Sequence, residues 1–400
     1  MSELLVPDAG SPPAPRPAFS LLAGGTTLRS ALWQALALTV TAIVLGWFGN
    51  NAVENLSRAN VASGFGFLSH TAGFSIIETP IEYAPDASYG RALMVGLLNG
   101  AKVAFLAIVL ATVIGTCIGV LRLSSHPVAS RLAGAYVELL RNVPLLLQLF
   151  FWYAILLKLP AARTALAPLP GMFLSNRGLF LPALTSDGRF WWLVAALLLA
   201  TLTTVFLSVR ATKIQGAKGH RPPVFVPSLL VFTALSVGAV LVFDIPFGLS
   251  VPELRGFNFS GGMVISPEFT ALLIGLSLYS AAYIGETVRS GILSVGKGQW
   301  EAASAIGLTD MQRLRLVVMP QALRIIIPPM ISSYGGIIKG TSLGVAIGFP
   351  ELVSVSNTVM NQTGQAVETI GLVMAAFLVI NLVIAAFLNW FNGRLAFKGR

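Results

Sequence analysis

Few residues in this chain have the types and spacing that chemistry needs. Gly291-Ile292-Leu293-Ser294-Val295-Gly296-Lys297 has the glycine and lysine spacing of a loop that cradles phosphates on backbone N–H groups. The next position is Gly298 where Ser or Thr would hold Mg2+, and an apolar helix precedes it where a strand belongs. No other segment offers a nucleotide site, so any ATP chemistry belongs to another chain. His70, His126 and His220 lie far apart, with no metal-ligand spacing to one another or to acids. No metal or other cofactor is expected. No nucleophile and base share a depth, as an intramembrane protease would need. Cys117 is the single cysteine, which excludes an intrachain disulfide.

Ionisable residues inside apolar runs are the better leads. Lys102, Glu286 and Lys339 are such residues, and Thr341 and Ser342 follow Lys339. A zwitterion crossing a membrane needs an anion for its ammonium and a cation or hydroxyl donors for its carboxylate. These five residues are the candidates for a substrate path. The plainer reading stands beside it: Lys102 snorkels to the interface and Glu286 pairs with Arg289.

The elements that must position these residues are membrane helices. The 400 residues are 55% hydrophobic and 10% charged, against about 25% charged in soluble domains. The apolar residues come in runs, and about 20 in a row span a bilayer as a helix. Eight spans are expected: Ala31–Phe48, Met94–Leu121, Val137–Leu157, Trp191–Val209, Val224–Phe243, Phe269–Val288, Ile325–Phe349 and Ile370–Trp390. Glu138, Arg141 and Pro144 crowd the start of the third. With the N-terminus cytoplasmic, most Lys and Arg fall on inner segments, densest at Arg289, Lys297, Arg313, Arg315 and Arg324, which places both termini inside. The outer segment with Lys158, Arg163, Arg177 and Arg189 runs against that rule. The net charge of +10 therefore reports membrane orientation and not nucleic-acid binding.

The proline-rich residues 1–27 read as a disordered cytoplasmic tail. Residues 28–50 read as a first span and 51–90 as an acidic outer loop with Glu54, Glu78, Glu82 and Asp86. Glycines spaced by four recur at Gly96 and Gly100, Gly115 and Gly119, and Gly336 and Gly340. That spacing lets helix backbones approach closely, within the chain or between chains.

The basic loop between the sixth and seventh spans is the most informative segment. Ser266, Pro267 and Glu268 suit the start of the sixth span. After it, Glu301 to Ile306 reads as a short helix stopped by Gly307. Thr309-Asp310-Met311-Gln312 fits a capping box that opens a second short helix, which Pro320 is expected to end. Ala302, Ala303 and Ala305 give the first helix a surface of small residues, and Glu301 adds a charge that a partner could read. The alternative is an amphipathic hairpin resting on the membrane. A helix–turn–helix tethered at both ends to membrane spans cannot enter a DNA groove.

Ser277 to Val353 resembles the permease subunits of ATP-binding-cassette importers in the polar amino-acid uptake family. Their signature is Glu-Ala-Ala, three residues, Gly, nine residues, Ile, any residue, Leu, Pro. Here it reads Glu301-Ala302-Ala303, Gly307, Val317, Met319, Pro320. Leu278-Tyr279-Ser280-Ala281-Ala282-Tyr283, Pro320-Gln321-Ala322-Leu323-Arg324, Ile347 to Leu352, and Arg141-Asn142-Val143-Pro144-Leu145 with Gln148 resemble the family as well. Asn55-Leu56, Ala62-Ser63-Gly64-Phe65-Gly66-Phe67 and Tyr89-Gly90-Arg91-Ala92 are similar to the larger, Q-type permease of general L-amino-acid importers.

The resemblance implies an all-α polytopic membrane protein with the type-1 importer fold. The transmembrane domain would be residues 91–392, with an insertion at about 159–268, behind an extra N-terminal span. Glu301, Ala302, Ala303 and Gly307 would form the coupling helix that docks on a separate ATPase. Partners would be two ATPase subunits, a second homologous permease, a periplasmic amino-acid-binding protein and the surrounding lipid. The place would be the bacterial inner membrane, and the chain itself would catalyse no reaction. Two rivals remain from the residues. An ion-gradient-driven transporter would need inverted repeats and broken helices. A non-transporting scaffold or receptor would have no need of the glycine turn.

Overall fold

A computed structural model of the chain describes residues 28–58, 64–185, 189–219, 222–244 and 248–395. The expected tail at 1–27 lies outside these residues. By contacts the chain divides into two units. The first, residues 1–65 with 363–365, contains α1 (Leu28–Arg58). Ser30–Asn51 of this helix is long and apolar enough to cross a membrane.

The second unit, Gly66–Gln362 with Ala366–Arg400, holds the other spans. They begin with α2 (Tyr89–Leu121), α3 (Pro127–Asn142) and α4 (Leu145–Leu157). Next come α5 (Phe190–Lys218), α6 (Phe225–Phe243) and α7 (Pro267–Leu293). Seven helical runs in the two units can each cross a membrane, or eight if α3 and α4 together make one broken span. The eight expected spans all fall on these helices.

Helices α2 and α7 form the centre of the core. Gly115 lies against Ala281 and Ile284, and Gly119 against Gly285 and Val288, so the two helices run parallel. A Cβ at Gly119 would sit 2.6 Å from the Gly285 carbonyl oxygen, and one at Gly115 would sit 2.8 Å from that of Ala281. The glycine spacing seen in the sequence thus serves packing within the chain. Of the other two pairs, Gly96 and Gly100 face Glu351, and Gly340 faces Leu276, while nothing approaches Gly336. Ser266 caps α7, its hydroxyl accepting the Phe269 N–H at 3.0 Å, as the sequence predicts.

Helix α2 is long because its first turns run past the start of α7 into a small cap. There Phe67, Ala72, Tyr89, Ala92, Leu93, Leu352, Val355 and Val359 form a second apolar cluster. The acidic segment folds down onto α2. Asn99 donates to the Glu78 carbonyl at 2.8 Å, and the Glu78 carboxylate accepts from the Ser266 hydroxyl.

The 159–268 insertion, whose fold the sequence leaves open, is a hairpin of α5 and α6 with small antiparallel sheets at its base. Strands β1 (Leu166–Leu169), β2 (Met172–Ser175), β3 (Gly178–Leu181) and β4 (Ala183–Thr185) precede the hairpin. Strands β5 (Gly248–Ser250), β6 (Glu253–Arg255), β7 (Asn258–Ser260) and β8 (Met263–Ile265) follow it. One sheet has the order β1-β2-β3-β8, so it joins both sides of the hairpin. Strand β8 pairs Ile265 with Leu179 and leads straight into Ser266 and α7. The spans remain all-α, and the strands are confined to this extramembrane base.

Beyond α7 lie α8 (Lys297–Ala305), α9 (Asp310–Gln312), a π-helical stretch Arg313–Val318 and α10 (Met319–Gly340). Pro320 does not end a helix as expected. The run from Asp310 continues through it to Gly340 and then as a 3-10 helix to Ile347. Proline lacks an N–H and its ring crowds the carbonyl four residues back. The wider π turn just before it takes up that misfit. The chain closes with α11 (Leu352–Thr363) and α12 (Ala366–Leu395).

Candidate functional site

The loop between α7 and α10 is built by its caps. Helix α8 ends with Gly307 at φ 78°, where its N–H reaches the Ser304 carbonyl at 2.9 Å and that of Leu308 reaches the Ala303 carbonyl at 3.2 Å. That is a Schellman closure, and the left-handed backbone favours glycine. Thr309 and Gln312 form the expected capping box: the Thr309 N–H donates to Gln312 Oε1 at 3.0 Å and the Gln312 N–H to Thr309 Oγ1 at 3.4 Å. The π stretch binds back to α8 through Arg313, which donates to the Ser304 hydroxyl, and Gln321 donates to Gln299 at 3.1 Å.

This loop sorts the predicted docking residues. Glu301, Ala302 and Gly307 are exposed. Ala303 is only 3% exposed, so it packs α8 onto its own chain and presents no surface to a partner. Sequence reasoning missed the two residues that flank Gly307. Ile306 is 75% exposed and Met311 71% exposed. The signal was available, since Ile306 is a large apolar residue at the C-cap of α8 and Met311 another in the first turn after the Thr309 cap. Together with Glu301 and Ala302 they make a knob with an apolar tip, a feature that marks an interaction surface.

The five path candidates do not form one site. Lys102 sits beside the first turn of α7. Its ammonium lies 4.6 Å from the Phe269 ring centre and 4.0 Å from Glu78 Oε2. Glu286 sits at the other end, bound to Arg122 and to Arg289, the latter at 2.5 Å. The pairing with Arg289 read from the sequence is therefore present, and Arg122 is added to it. Thr341 is buried and donates to the Ile338 carbonyl at 2.7 Å, while the half-buried Ser342 donates to that of Lys339 at 2.7 Å. Lys339 is exposed, with no ion-pair partner among the described residues.

A polar cleft lies instead at a break in the third span. Helices α3 and α4 meet at an angle of 104° across Val143 and Pro144. Pro144 has no N–H to continue the ladder. Gln148 turns back and donates at 2.9 Å to the carbonyls of both Leu140 and Val143, which satisfies these two groups at the break. Arg141, just before the break, lies over the Tyr283 ring at 5.0 Å. Tyr279 and Tyr283, whose hydroxyls are 3.2 Å apart, line an adjoining cavity of about 270 Å³ with Ser280 and Ser333. An arginine and four hydroxyls on a membrane helix bundle are costly against lipid, so this face calls for water, substrate or a partner chain. Sequence reasoning passed over it because Arg141 and Pro144 read there as a blurred span boundary.

One buried acid was also missed. Glu351 is fully buried beside Gly100 and accepts the N–H groups of Val353 at 2.9 Å and Ser354 at 2.8 Å, which caps α11. Burial pushes its carboxyl up to about 7, against the two backbone bonds that pull it down.

Comparisons with known proteins show the family. Residues 222–398 match the family described as the inner membrane component of binding-protein-dependent transport systems. YhdX of Escherichia coli, named as an amino-acid ABC transporter permease, is 42% identical over 95% of this chain and 98% of its own length. The general L-amino acid transport system permease AapQ of Rhizobium johnstonii is 40% identical over 93% of each chain. BztB of Rhodobacter capsulatus, a glutamate/glutamine/aspartate/asparagine transport system permease, is 36% identical over 98% of this chain and 99% of its own. A solved structure of an amino acid ABC transporter with histidines is similar over 76% of this chain and 95% of its own, with 21% identity and a TM-score of 0.46. By its identity to these relatives over nearly its whole length, the chain belongs to the amino-acid ABC transporter permeases.

Proposed function

We propose that this chain is a translocation subunit of an ATP-driven amino-acid importer in the bacterial inner membrane, with both termini cytoplasmic. A second homologous permease completes the passage, two ATPase subunits supply hydrolysis, and a periplasmic binding protein delivers the amino acid. The observation that carries this reading is the knob of Glu301, Ala302, Ile306, Gly307 and Met311. It is held rigid by its own caps and joined to α7 by three residues, Ser294 to Gly296. An ATPase groove that moves this knob moves α7 with it.

In this reading the passage follows the α3–α4 break. Arg141 and the hydroxyls of Tyr279, Tyr283, Ser280 and Ser333 meet the carboxylate of the amino acid, and the tyrosine rings meet its ammonium. Lys339 stands on the neighbouring last turn of α10 and Ser342 in the 3-10 turn that follows it, while Lys102 and Thr341 belong to the outer end of the passage. Relatives named for general L-amino acids and for glutamate, glutamine, aspartate and asparagine make these amino acids the substrates to test.

Co-purification tests the docking knob. Ile306→Asp places a charge at the centre of the proposed contact without touching the packed side of α8. The expected result is loss of the ATPase from the purified complex with thermal unfolding of the chain unchanged. An ATPase retained at wild-type stoichiometry would refute the docking assignment.

A further inference from the structure

Glu286 has no counterpart in the passage, and its surroundings suggest other work. Its carboxylate is held by two guanidinium groups from two directions. Arg289, one turn on in α7, donates from Nε at 3.2 Å and from Nη2 at 2.5 Å. Arg122, at the C-terminal cap of α2, donates to Oε2 from the neighbouring helix. All three side chains are at most 30% exposed. The Arg122 carbonyl is in turn bound by Ser130 of α3 at 3.0 Å.

This triad lies within a turn of the contact between Gly119 of α2 and Gly285 of α7. Gly119 and Gly285 meet there with no side chain between them. Ile284 and Val288 seat on Gly115 and Gly119 and hold the helices in register by van der Waals contact alone. The charge-assisted bond from Arg122 to Glu286 ties the two helices, and Arg289, on the same helix as Glu286, grips the carboxylate through two bonds and fixes its direction. Four residues past Arg289 the helix ends, and the knob follows. A displacement delivered to α8 therefore reaches α7 first, and the triad decides whether α2 moves with it.

We propose that Arg122, Glu286 and Arg289 are positioning residues that lock α2 and α7 into one rigid body, so that movement of the docked loop drives both helices. The proposal rests on the importer reading. It differs from a plain stabilising role in what its loss does. A loosened joint lets α7 follow the ATPase while α2 lags, so ATP is hydrolysed without matching transport.

The test uses the complete importer in proteoliposomes: this chain, its partner permease, the ATPase and the binding protein. The readout is labelled L-glutamate or L-glutamine taken up per ATP hydrolysed. Glu286→Gln keeps the shape and removes the charge, and uptake per ATP should fall about tenfold, a usual size for coupling between sites. The double exchange Arg122→Glu with Glu286→Arg puts the acid on α2 between two arginines of α7, and it should restore the ratio to within about twofold of wild type. An unchanged ratio in Glu286→Gln, or a double exchange no better than that single variant, overturns the proposal. If Glu286→Gln does not assemble, Glu286→Asp takes its place. An Asp variant that assembles with the wild-type ratio, or that fails to assemble, makes the triad a folding element and overturns it also. Absence of ATP-coupled uptake in the wild-type complex would instead overturn the importer reading itself.

Discussion

Gly119 of α2 and Gly285 of α7 are in backbone contact: a Cβ on Gly119 would stand 2.6 Å from the Gly285 carbonyl oxygen and 2.8 Å from Val288 Cβ. Neither neighbour is the free end of a flexible side chain, so the helices must part to admit even a methyl group. Gly119→Ala is expected to destabilise the chain by about 1–3 kcal/mol, the usual cost of overpacking. Gly134 of α3 has nothing within 4 Å, and Gly134→Ala should instead stabilise by up to about 1 kcal/mol through helix propensity. Thermal unfolding of the two variants in the same detergent checks the pair. A Gly119→Ala variant as stable as Gly134→Ala would mean the α2–α7 contact is wrong.

Gly307 has open space around it and φ 78°, so a substitution there meets strain alone. Gly307→Val should cost about 1–2 kcal/mol of local stability, whereas Gly307→Asn, which tolerates the left-handed region, should cost less. Binding of the ATPase to the purified complex should weaken in the order Gly, Asn, Val. Equal affinities for all three would show that the closure of α8 does not matter to docking.

The loop shows how much the sequence disclosed. Gly307 and the Thr309–Gln312 box were legible because caps are local, set by residues within four positions of each other. The inward turn of Ala303 was not, since it depends on where the π stretch lies beneath α8. Pro320 misled for the same reason, as a proline at the mouth of a long helix is tolerated when a wide turn precedes it. The eight spans were legible from hydropathy alone. The break at Val143–Pro144 and the Arg122–Glu286 contact were not, because each joins or divides elements that composition treats as uniform.

Glu351 gives a pH dependence of defined sign. Its carboxyl titrates at about 7 in the folded chain against 4.5 for the free group. The folded state thus holds the proton more tightly, and stability falls as pH rises from about 4.5 through about 7, then levels. Glu351→Gln removes the titration and keeps one acceptor oxygen, for one of the two N–H groups. Its unfolding temperature should be flat across that window and exceed that of wild type above pH 7. Parallel curves for the two proteins would place the pH dependence elsewhere.

Arg141 and the tyrosines can be separated by kinetics. Arg141→Ala removes the cation proposed to meet the carboxylate and should lower uptake about tenfold or more, with ATPase binding intact. Tyr279→Phe keeps the ring and loses one hydroxyl, so a smaller loss of about three- to tenfold is expected. Lys339→Met tests an exposed cation near the end of α10 and should also cut uptake without disturbing assembly. Wild-type uptake in both Arg141→Ala and Lys339→Met would move the passage away from this cleft.

The central claim is that a separate ATPase drives these helices through the knob at Glu301 to Met311. The most direct measurement is ATP-dependent uptake of labelled L-glutamate into proteoliposomes holding the assembled importer, with wild-type chain or with Glu301→Arg. Glu301 is exposed on α8. The account predicts ATP-dependent uptake with wild type and its loss with Glu301→Arg, in chains that remain folded in the membrane. Undiminished ATP-dependent uptake with Glu301→Arg would contradict it.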